Sequence, residues 1–102
     1  MNKQIYLIRN GEGHYKIGYT ERNISKRLNE LQTATATELQ VICTFETKLA
    51  SKIERILHRL YNSKRMKGEW FDLGINDVTG FKESCEKIEK NLLFLEENKI
   101  GL

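Results

Sequence analysis

Residues 3–19, KQIYLIRNGEGHYKIGY, predict two short strands joined by a tight reversal. The run from Ile5 to Ile8 is branched and aromatic, which suits a buried strand. Gly11 and Gly13 can adopt positive φ without strain, so the chain can reverse between the strands. Residues 14–19 return as the second strand and carry two tyrosines, a lysine and a glycine. A hairpin therefore begins a β-sheet at the N-terminal end of the sequence.

The 102 residues predict one domain with a modest core. No apolar run approaches the ~20 residues that a membrane-spanning helix needs, and residues 1–15 lack the pattern of a signal peptide. We therefore expect a cytoplasmic protein without a membrane partner. Cys43 and Cys85 have no metal-ligand spacing, and we expect both to be free thiols.

The net charge of +3 is unevenly distributed. Residues 1–68 carry 13 Lys and Arg against 6 Asp and Glu, whereas residues 69–102 carry 4 against 8. A basic body with an acidic end suits a polyanionic partner such as nucleic acid. The alternative is that the basic residues only solvate helices.

Helical and extended segments alternate after the hairpin. The pattern predicts one helix capped by Asn23 and ending near residue 32, a second over residues 49–64, and a last helix from residue 76 or 77 onward. A third strand is predicted over residues 39–45, and an extended segment or short strand over residues 69–73. This order indicates an α+β fold with a small three-stranded antiparallel sheet flanked by helices, plus a C-terminal amphipathic helix.

By periodicity alone, the residues that could carry chemistry have ordinary explanations. Tyr6 lies in an apolar strand and suits the core, and Lys16 suits an exposed strand edge. Arg27 borders the core-facing side of its helix. Glu54 and His58 are one helical turn apart and suit a polar flank.

The basic turn and the aromatic segment after it each allow two interpretations. Three residues contact phosphates or form a solvated loop: Lys64, Arg65 and Lys67. The aromatic residues 70–71 suit the core, with Trp70 stacking on a base as the alternative. Glu69 is either a second acidic group near a site or a local cap or ion-pair partner.

Taken together, residues 5–73 resemble the GIY-YIG nuclease superfamily, and in particular a small phage-associated branch. The motifs that carry the resemblance are Ile5-Tyr6-Leu7-Ile8, Tyr15-Lys16-Ile17-Gly18-Tyr19-Thr20, Arg27-Leu28-Asn29-Glu30-Leu31-Gln32-Thr33, Ile53-Glu54-Arg55-Ile56-Leu57-His58 and Gly68-Glu69-Trp70-Phe71. The resemblance implies a three-stranded sheet and a metal-dependent endonuclease that hydrolyses phosphodiester bonds. It further implies a protein of the bacterial cytoplasm, with a phage genome as one source.

The resemblance also implies a role for individual residues. Tyr6 matches the first-motif tyrosine, Arg27 the catalytic arginine and Glu54 the glutamate that binds one divalent metal ion, Mg²⁺ or Mn²⁺. Lys16 occupies the position of the second-motif tyrosine, which is a departure, although some members of the superfamily carry lysine there. Tyr15 precedes that position by one residue, and we expect it to contact nucleic acid.

These residue types suit the hydrolysis of DNA, with RNA as an alternative substrate. Glu54 would hold the metal, Arg27 would steady the phosphate with its forked donors, and His58 would touch substrate or relay a proton. Lys16 beside Tyr6 would lower the pKa of the phenol or itself act as the base. The implied catalytic domain spans residues 1–75.

Residues 76–102 then form a helix that packs on the domain or on a second copy. Its apolar residues recur at spacings of three and four: Val78, Phe81, Cys85, Ile88, Leu92 and Leu95. Two other functions remain open. One is a nucleic-acid-binding module without turnover, suggested by the Lys16 departure; the other is an interaction protein that dimerises through the last helix.

A shared site for Tyr6 and Lys16 requires one particular hairpin register. A two- or four-residue loop would place these two side chains on opposite faces of the sheet. A three-residue loop over residues 11–13 instead pairs Tyr6 with Gly18, and it pairs Ile8 with Lys16. We predict this second register, with which the two loop glycines are consistent.

Overall fold

The computed structural model describes residues 2–99, which form a four-stranded antiparallel sheet with helices on both faces. In chain order the elements are β1 (Lys3–Arg9), β2 (Tyr15–Thr20), α1 (Ile24–Thr33), β3 (Gln40–Thr47), α2 (Ala50–Leu60), a 3₁₀ turn (Asn62–Lys64), β4 (Trp70–Phe71), α3 (Ile75–Thr79) and α4 (Phe81–Glu97). The strand order is β3-β1-β2-β4. The α+β class is confirmed, but the predicted three-stranded sheet is wrong by one strand, because Trp70–Phe71 pairs with Tyr15 and Lys16.

The hairpin adopts the predicted three-residue loop. Asn10 N donates to His14 O at 2.9 Å, and the Asn10 side chain accepts hydrogen bonds from the backbone N–H groups of Glu12 and His14. Gly13 has φ of +80°, the left-handed conformation that closes such loops. As a result Tyr6 pairs with Gly18, and the predicted register is confirmed.

The alternation along β1 sends side chains to two separate cores. One face holds Tyr6 and Ile8, which pack against half-buried residues of α1. The other face holds Ile5 and Leu7, which belong to the main core with α2 and α4. The main core contains Ile5, Leu7, Ile17, Phe45, Ala50, Ile53, Leu57, Tyr61, Phe71, Leu73, Phe81, Cys85 and Leu92.

The region predicted as the last helix is divided in two at Gly80. Its longer part, α4, packs on α2 and β3 and buries Phe81, Cys85 and Leu92 in the main core of this domain. The last three residues of the predicted unit 76–102 lie outside the described part of the chain. The dimer through this helix remains a prediction.

The second helix is shorter than the predicted 49–64. It ends at Leu60, and a 3₁₀ turn follows. The sequence pattern favours a place for Leu60 in the apolar stripe of this helix, but its side chain is exposed. None of the helices between residues 2 and 99 combines the length and the apolar content that crossing a bilayer requires.

The two cysteines are free, as predicted, and differ in their burial. Cys85 is fully buried, and burial raises its pKa to about 12. Because the thiolate is the reactive form, we expect Cys85 to resist iodoacetamide at neutral pH until the protein unfolds. The half-buried Cys43 should react slowly in the folded state.

Mass spectrometry of a Cys43→Ser variant checks this prediction, because it leaves Cys85 as the single thiol. One label should appear in urea and none in buffer. Rapid labelling of the folded variant would contradict the burial of Cys85.

Candidate active site

The site lies at the outer edge of β2, where β4 stops covering it. Beyond the Lys16–Trp70 pair, the backbone groups of β2 find other partners. Ile17 N donates to Glu69 O at 3.2 Å, and Ile17 O lies 2.9 Å from Nε2 of His58. The Tyr19 backbone N–H lies near enough to the Glu54 carboxylate to lower its pKa. The end of β4 and the helix α2 therefore meet along this edge, and each brings side chains to it.

Three potential metal ligands converge at this edge: Glu54, His58 and Glu69. Their ligand atoms all lie within 4.8 Å of one another, and each side chain is half-buried. Glu54 and His58 share one face of α2 because they are four residues apart. Glu69 arrives with the turn before β4, since its carbonyl continues the pairing with β2.

The cluster of Glu54, His58 and Glu69 carries repulsion between like charges. Burial, and then the nearby Glu69 carboxylate, raise the pKa of Glu54 above its ordinary value, whereas His58, Lys16 and the Tyr19 N–H act in the opposite direction. Lys16 Nζ lies 3.3 Å from Glu69 Oε2 and 5.6 Å from the centre of the Trp70 ring. This ammonium group offsets part of the negative charge, and its side chain is only 13% exposed.

Tyr6 reaches the same edge from the opposite face of the sheet. Its ring lies across Gly18, and its hydroxyl accepts a hydrogen bond from Nε of Arg27 at 3.4 Å. Arg27 also contacts Glu30 at 3.4 Å. The two carboxylates of Glu54 and Glu69 are close enough to influence the pKa of Tyr6.

The prediction that Lys16 lowers the pKa of Tyr6 is wrong. Burial raises the pKa of the phenol, and the group that opposes this rise is the Arg27 guanidinium. Lys16 is instead engaged with Glu69. Tyr6 therefore carries its proton at neutral pH and acts as a hydroxyl, because the buried phenolate is disfavoured.

His58 is held in a defined orientation. Its ring packs edge-on against Phe71 with centroids 5.0 Å apart. Because the Ile17 carbonyl can only accept, Nε2 must carry the hydrogen in the bond between them. In the neutral ring, Nδ1 then has the free lone pair, which can bind a cation or take a proton.

The four residues predicted to contact nucleic acid do not form one surface. Tyr15 is half-buried and packs against the main core, on the face away from Lys16. Lys64 pairs with Asp77. Arg65 lies in a groove beside α2, whereas Lys67 lies near Trp70 on another surface.

Glu69, for which the sequence allows two interpretations, is central to the cluster. The signal that identifies it is its place directly before a short aromatic strand. Once Trp70 pairs with Lys16, the preceding residue must lie at the outer edge of β2.

The donor set of the cluster fits a hard divalent cation. Carboxylate oxygens suit Mg²⁺ and Mn²⁺, and an imidazole nitrogen favours Mn²⁺ of the two. Opposite ligands of a six-coordinate Mg²⁺ lie about 4.2 Å apart, given bonds of about 2.1 Å. The ligand atoms of the cluster are up to 4.8 Å apart, which exceeds this span. The cluster therefore fits a cation bound directly through one or two side chains, with water completing the coordination shell.

Comparison with known proteins identifies the family of the chain. No curated protein and no solved structure matches it. The profile of the T5orf172 domain, in contrast, matches residues 3–89, which include every described strand and the first half of α4. The chain therefore belongs to the T5orf172 domain family.

Proposed function

We propose that this domain is a metal-dependent endonuclease of the GIY-YIG type that hydrolyses phosphodiester bonds in DNA. The T5orf172 family is phage-associated and linked to nuclease-like folds, which supports the proposal without specifying a reaction. The main support is that two groups of side chains lie at one strand edge. One is the Tyr6–Arg27 pair, and the other is the cluster of Glu54, His58 and Glu69. Lys16 is on the same face of the sheet as Tyr6 and pairs with Glu69 of the cluster.

In this proposal each side chain has a task in hydrolysis. Arg27 binds the scissile phosphate through the guanidinium donors that Tyr6 and Glu30 leave free, and it stabilises the charge that develops there. Tyr6 is fully buried, so it contributes by holding Arg27 in place through its hydroxyl rather than by contacting the attacking water. Lys16 places a second positive charge beside the same phosphate.

Glu54 and Glu69 would hold the cation. When bound, a divalent cation supplies a Lewis acid for a phosphate oxygen and lowers the pKa of adjacent water. His58 has one free lone pair, so it either binds the cation or accepts the proton of the water. A His58→Gln variant separates these roles, since loss of a ligand weakens Mn²⁺ binding and loss of a base slows only cleavage.

A second candidate is a nucleic-acid-binding module without turnover. Two features favour it: Lys16 is paired with Glu69, and burial raises the pKa of the Tyr6 phenol. Binding to DNA without cleavage in any metal would support this alternative.

The proposed function predicts metal-dependent nicking of supercoiled plasmid. Cleavage should stop in EDTA and return with excess Mg²⁺ or, at lower concentration, Mn²⁺. Arg27→Ala should slow it by about 10²- to 10³-fold, because a donor to the developing charge is removed. Gel analysis of plasmid forms over time measures both effects.

Lys87→Ala is the matched control. It also removes one positive charge, but from an exposed pair with Glu83 on α4, and it should cleave like wild type. Absence of cleavage in every metal, or equal rates for the Arg27 and Lys87 variants, would contradict the endonuclease.

A further inference from the structure

A groove of about 550 Å³ runs along the exposed side of α2 and continues into the turn that follows the helix. Its wall contains Glu54 and His58, so the groove opens directly onto the candidate metal cluster. The remaining lining is polar or basic and consists of Ser51, Arg55, Arg59, Asn62 and Arg65. Among residues 2–99 the lining contains polar and charged side chains only, which favours a polar or charged ligand.

The three arginines of the groove, Arg55, Arg59 and Arg65, have no acidic partner within residues 2–99. Other basic residues around the site differ in this respect, since Lys16 pairs with Glu69 and Lys64 with Asp77. The groove thus concentrates unneutralised positive charge beside the cluster. Such a concentration favours an anionic ligand that is larger than a single phosphate.

The order of residues on α2 produces this arrangement. Glu54 and His58 form one row along the helix, because they are one turn apart. Arg55 and Arg59 each follow a member of that row by one residue, so they form a parallel row about 100° further round the helix. The two arginines that would bind phosphates therefore lie beside Glu54 and His58, the groups proposed to act on the scissile bond. Each row spans about 6 Å of helix.

Arg65 is already oriented at the far end of the groove. Its Nε donates to Gly68 O at 2.7 Å, and its guanidinium lies 5.8 Å from the centre of the Phe71 ring. These interactions leave the terminal donors of the guanidinium free. Fixing the side chain beforehand reduces the entropy cost when it binds an anion.

We propose that this groove binds the phosphodiester backbone on one side of the scissile phosphate, with Arg55 and Arg59 each neutralising one phosphate and Arg65 a further one. The inference rests on the proposed function and adds the path of the strand to it. DNA and RNA share this backbone chemistry, so the groove by itself recognises phosphates rather than bases.

The salt dependence of binding tests the groove without requiring cleavage. Fluorescence anisotropy in EDTA would measure the affinity for labelled duplex DNA, single-stranded DNA and RNA of one sequence, over roughly 50–200 mM salt. For each phosphate that a variant no longer neutralises, the slope of log Kobs against log salt should fall in magnitude by about 0.9 for duplex DNA or about 0.7 for a single strand. An Arg55→Gln/Arg59→Gln double variant should therefore reduce that slope by about 1.8 or 1.4.

Lys82→Gln/Lys87→Gln is the matched control, since it removes two charges from exposed positions of α4 and should leave the slope unchanged. A reduced slope with any of the three polymers supports the groove and identifies the polymer. Equal slopes for wild type and the Arg55/Arg59 variant with all three would overturn it. Binding that depends on the arginines but is not followed by cleavage in Mn²⁺ would refute the endonuclease and support the groove as a phosphate-binding site. Cleavage with unchanged slopes would support the endonuclease and refute the groove.

Discussion

Replacing Glu54 with glutamine is expected to slow DNA cleavage by at least about 10²-fold while making the fold more stable at neutral pH. The rate should fall because an amide is a poor ligand for a hard cation, and the Lewis acid is worth several kcal/mol in such reactions. The amide keeps the volume of the side chain and an oxygen that can still accept from a nearby N–H such as that of Tyr19. Plasmid nicking and thermal unfolding of the same preparation measure the two effects.

The increase in stability follows from the sign of the pKa shift. The folded state raises the pKa of Glu54, so the folded state binds the proton more tightly than the unfolded chain does. The stability from this group is fully present below the ordinary pKa of 4.5 and is lost as the pH rises through the folded value. Glutamine imitates the protonated form, so its advantage should appear at neutral pH and vanish in acid.

Glu83→Gln on the exposed surface of α4 is the control, and it should retain both the rate and the pH profile of wild type. A Glu54→Gln protein that is less stable than wild type at neutral pH would contradict the raised pKa of Glu54 in the folded state. Wild-type cleavage by Glu54→Gln would remove this residue from the proposed metal site.

Gly18→Ala is expected to destabilise the domain by about 1–3 kcal/mol and to abolish cleavage. A Cβ at Gly18 would lie 2.4 Å from the Tyr6 hydroxyl and 2.6 Å from the ring carbon Cζ. Tyr6 is fully buried, so its ring cannot turn away without displacing its neighbours. Any displacement also breaks the 3.4 Å hydrogen bond between Tyr6 and Arg27. Urea unfolding and plasmid nicking test the two consequences.

A double-mutant cycle identifies the clash as the cause. In a Tyr6→Phe background the alanine should still be costly, because the Cζ atom remains. In a Tyr6→Leu background, where Cζ is absent, Gly18→Ala should lower the free energy of unfolding by less. The coupling energy between the two positions should then be close to the destabilisation that the clash causes. A cost that is the same in all three backgrounds would mean that Gly18 is required for another reason.

The local pattern of the sequence predicts most of the secondary structure. The hairpin register is the one that a shared site for Tyr6 and Lys16 requires, and the two glycines that flank Glu12 are consistent with it. The first helix begins where Asn23 caps the backbone of Ser25 at 2.7 Å. The break at Gly80 and the pairing of the fourth strand are harder to predict from the local pattern. A two-residue strand carries no periodicity, and it exists only because the edge of β2 is available to pair with it.

The candidate site is predictable as a set of residues but not as a set of contacts. Periodicity gives Glu54 and His58 one face of a helix, yet it cannot show that this face meets the edge of β2. The pairing of Lys16 with Glu69 joins residues that are far apart in the sequence. Burial of Tyr6 likewise depends on packing from α1, and this burial reverses the expected direction of its pKa shift.

The contacts between β2 and α2 also help the domain to avoid self-association. An open strand edge normally attracts strands from other molecules, and β4 is too short to cover this one. His58 occupies the Ile17 carbonyl that an incoming strand would use, and the Glu54 carboxylate lies near the backbone N–H of Tyr19. The side chains proposed for catalysis therefore also oppose the pairing of this edge with a strand of another molecule.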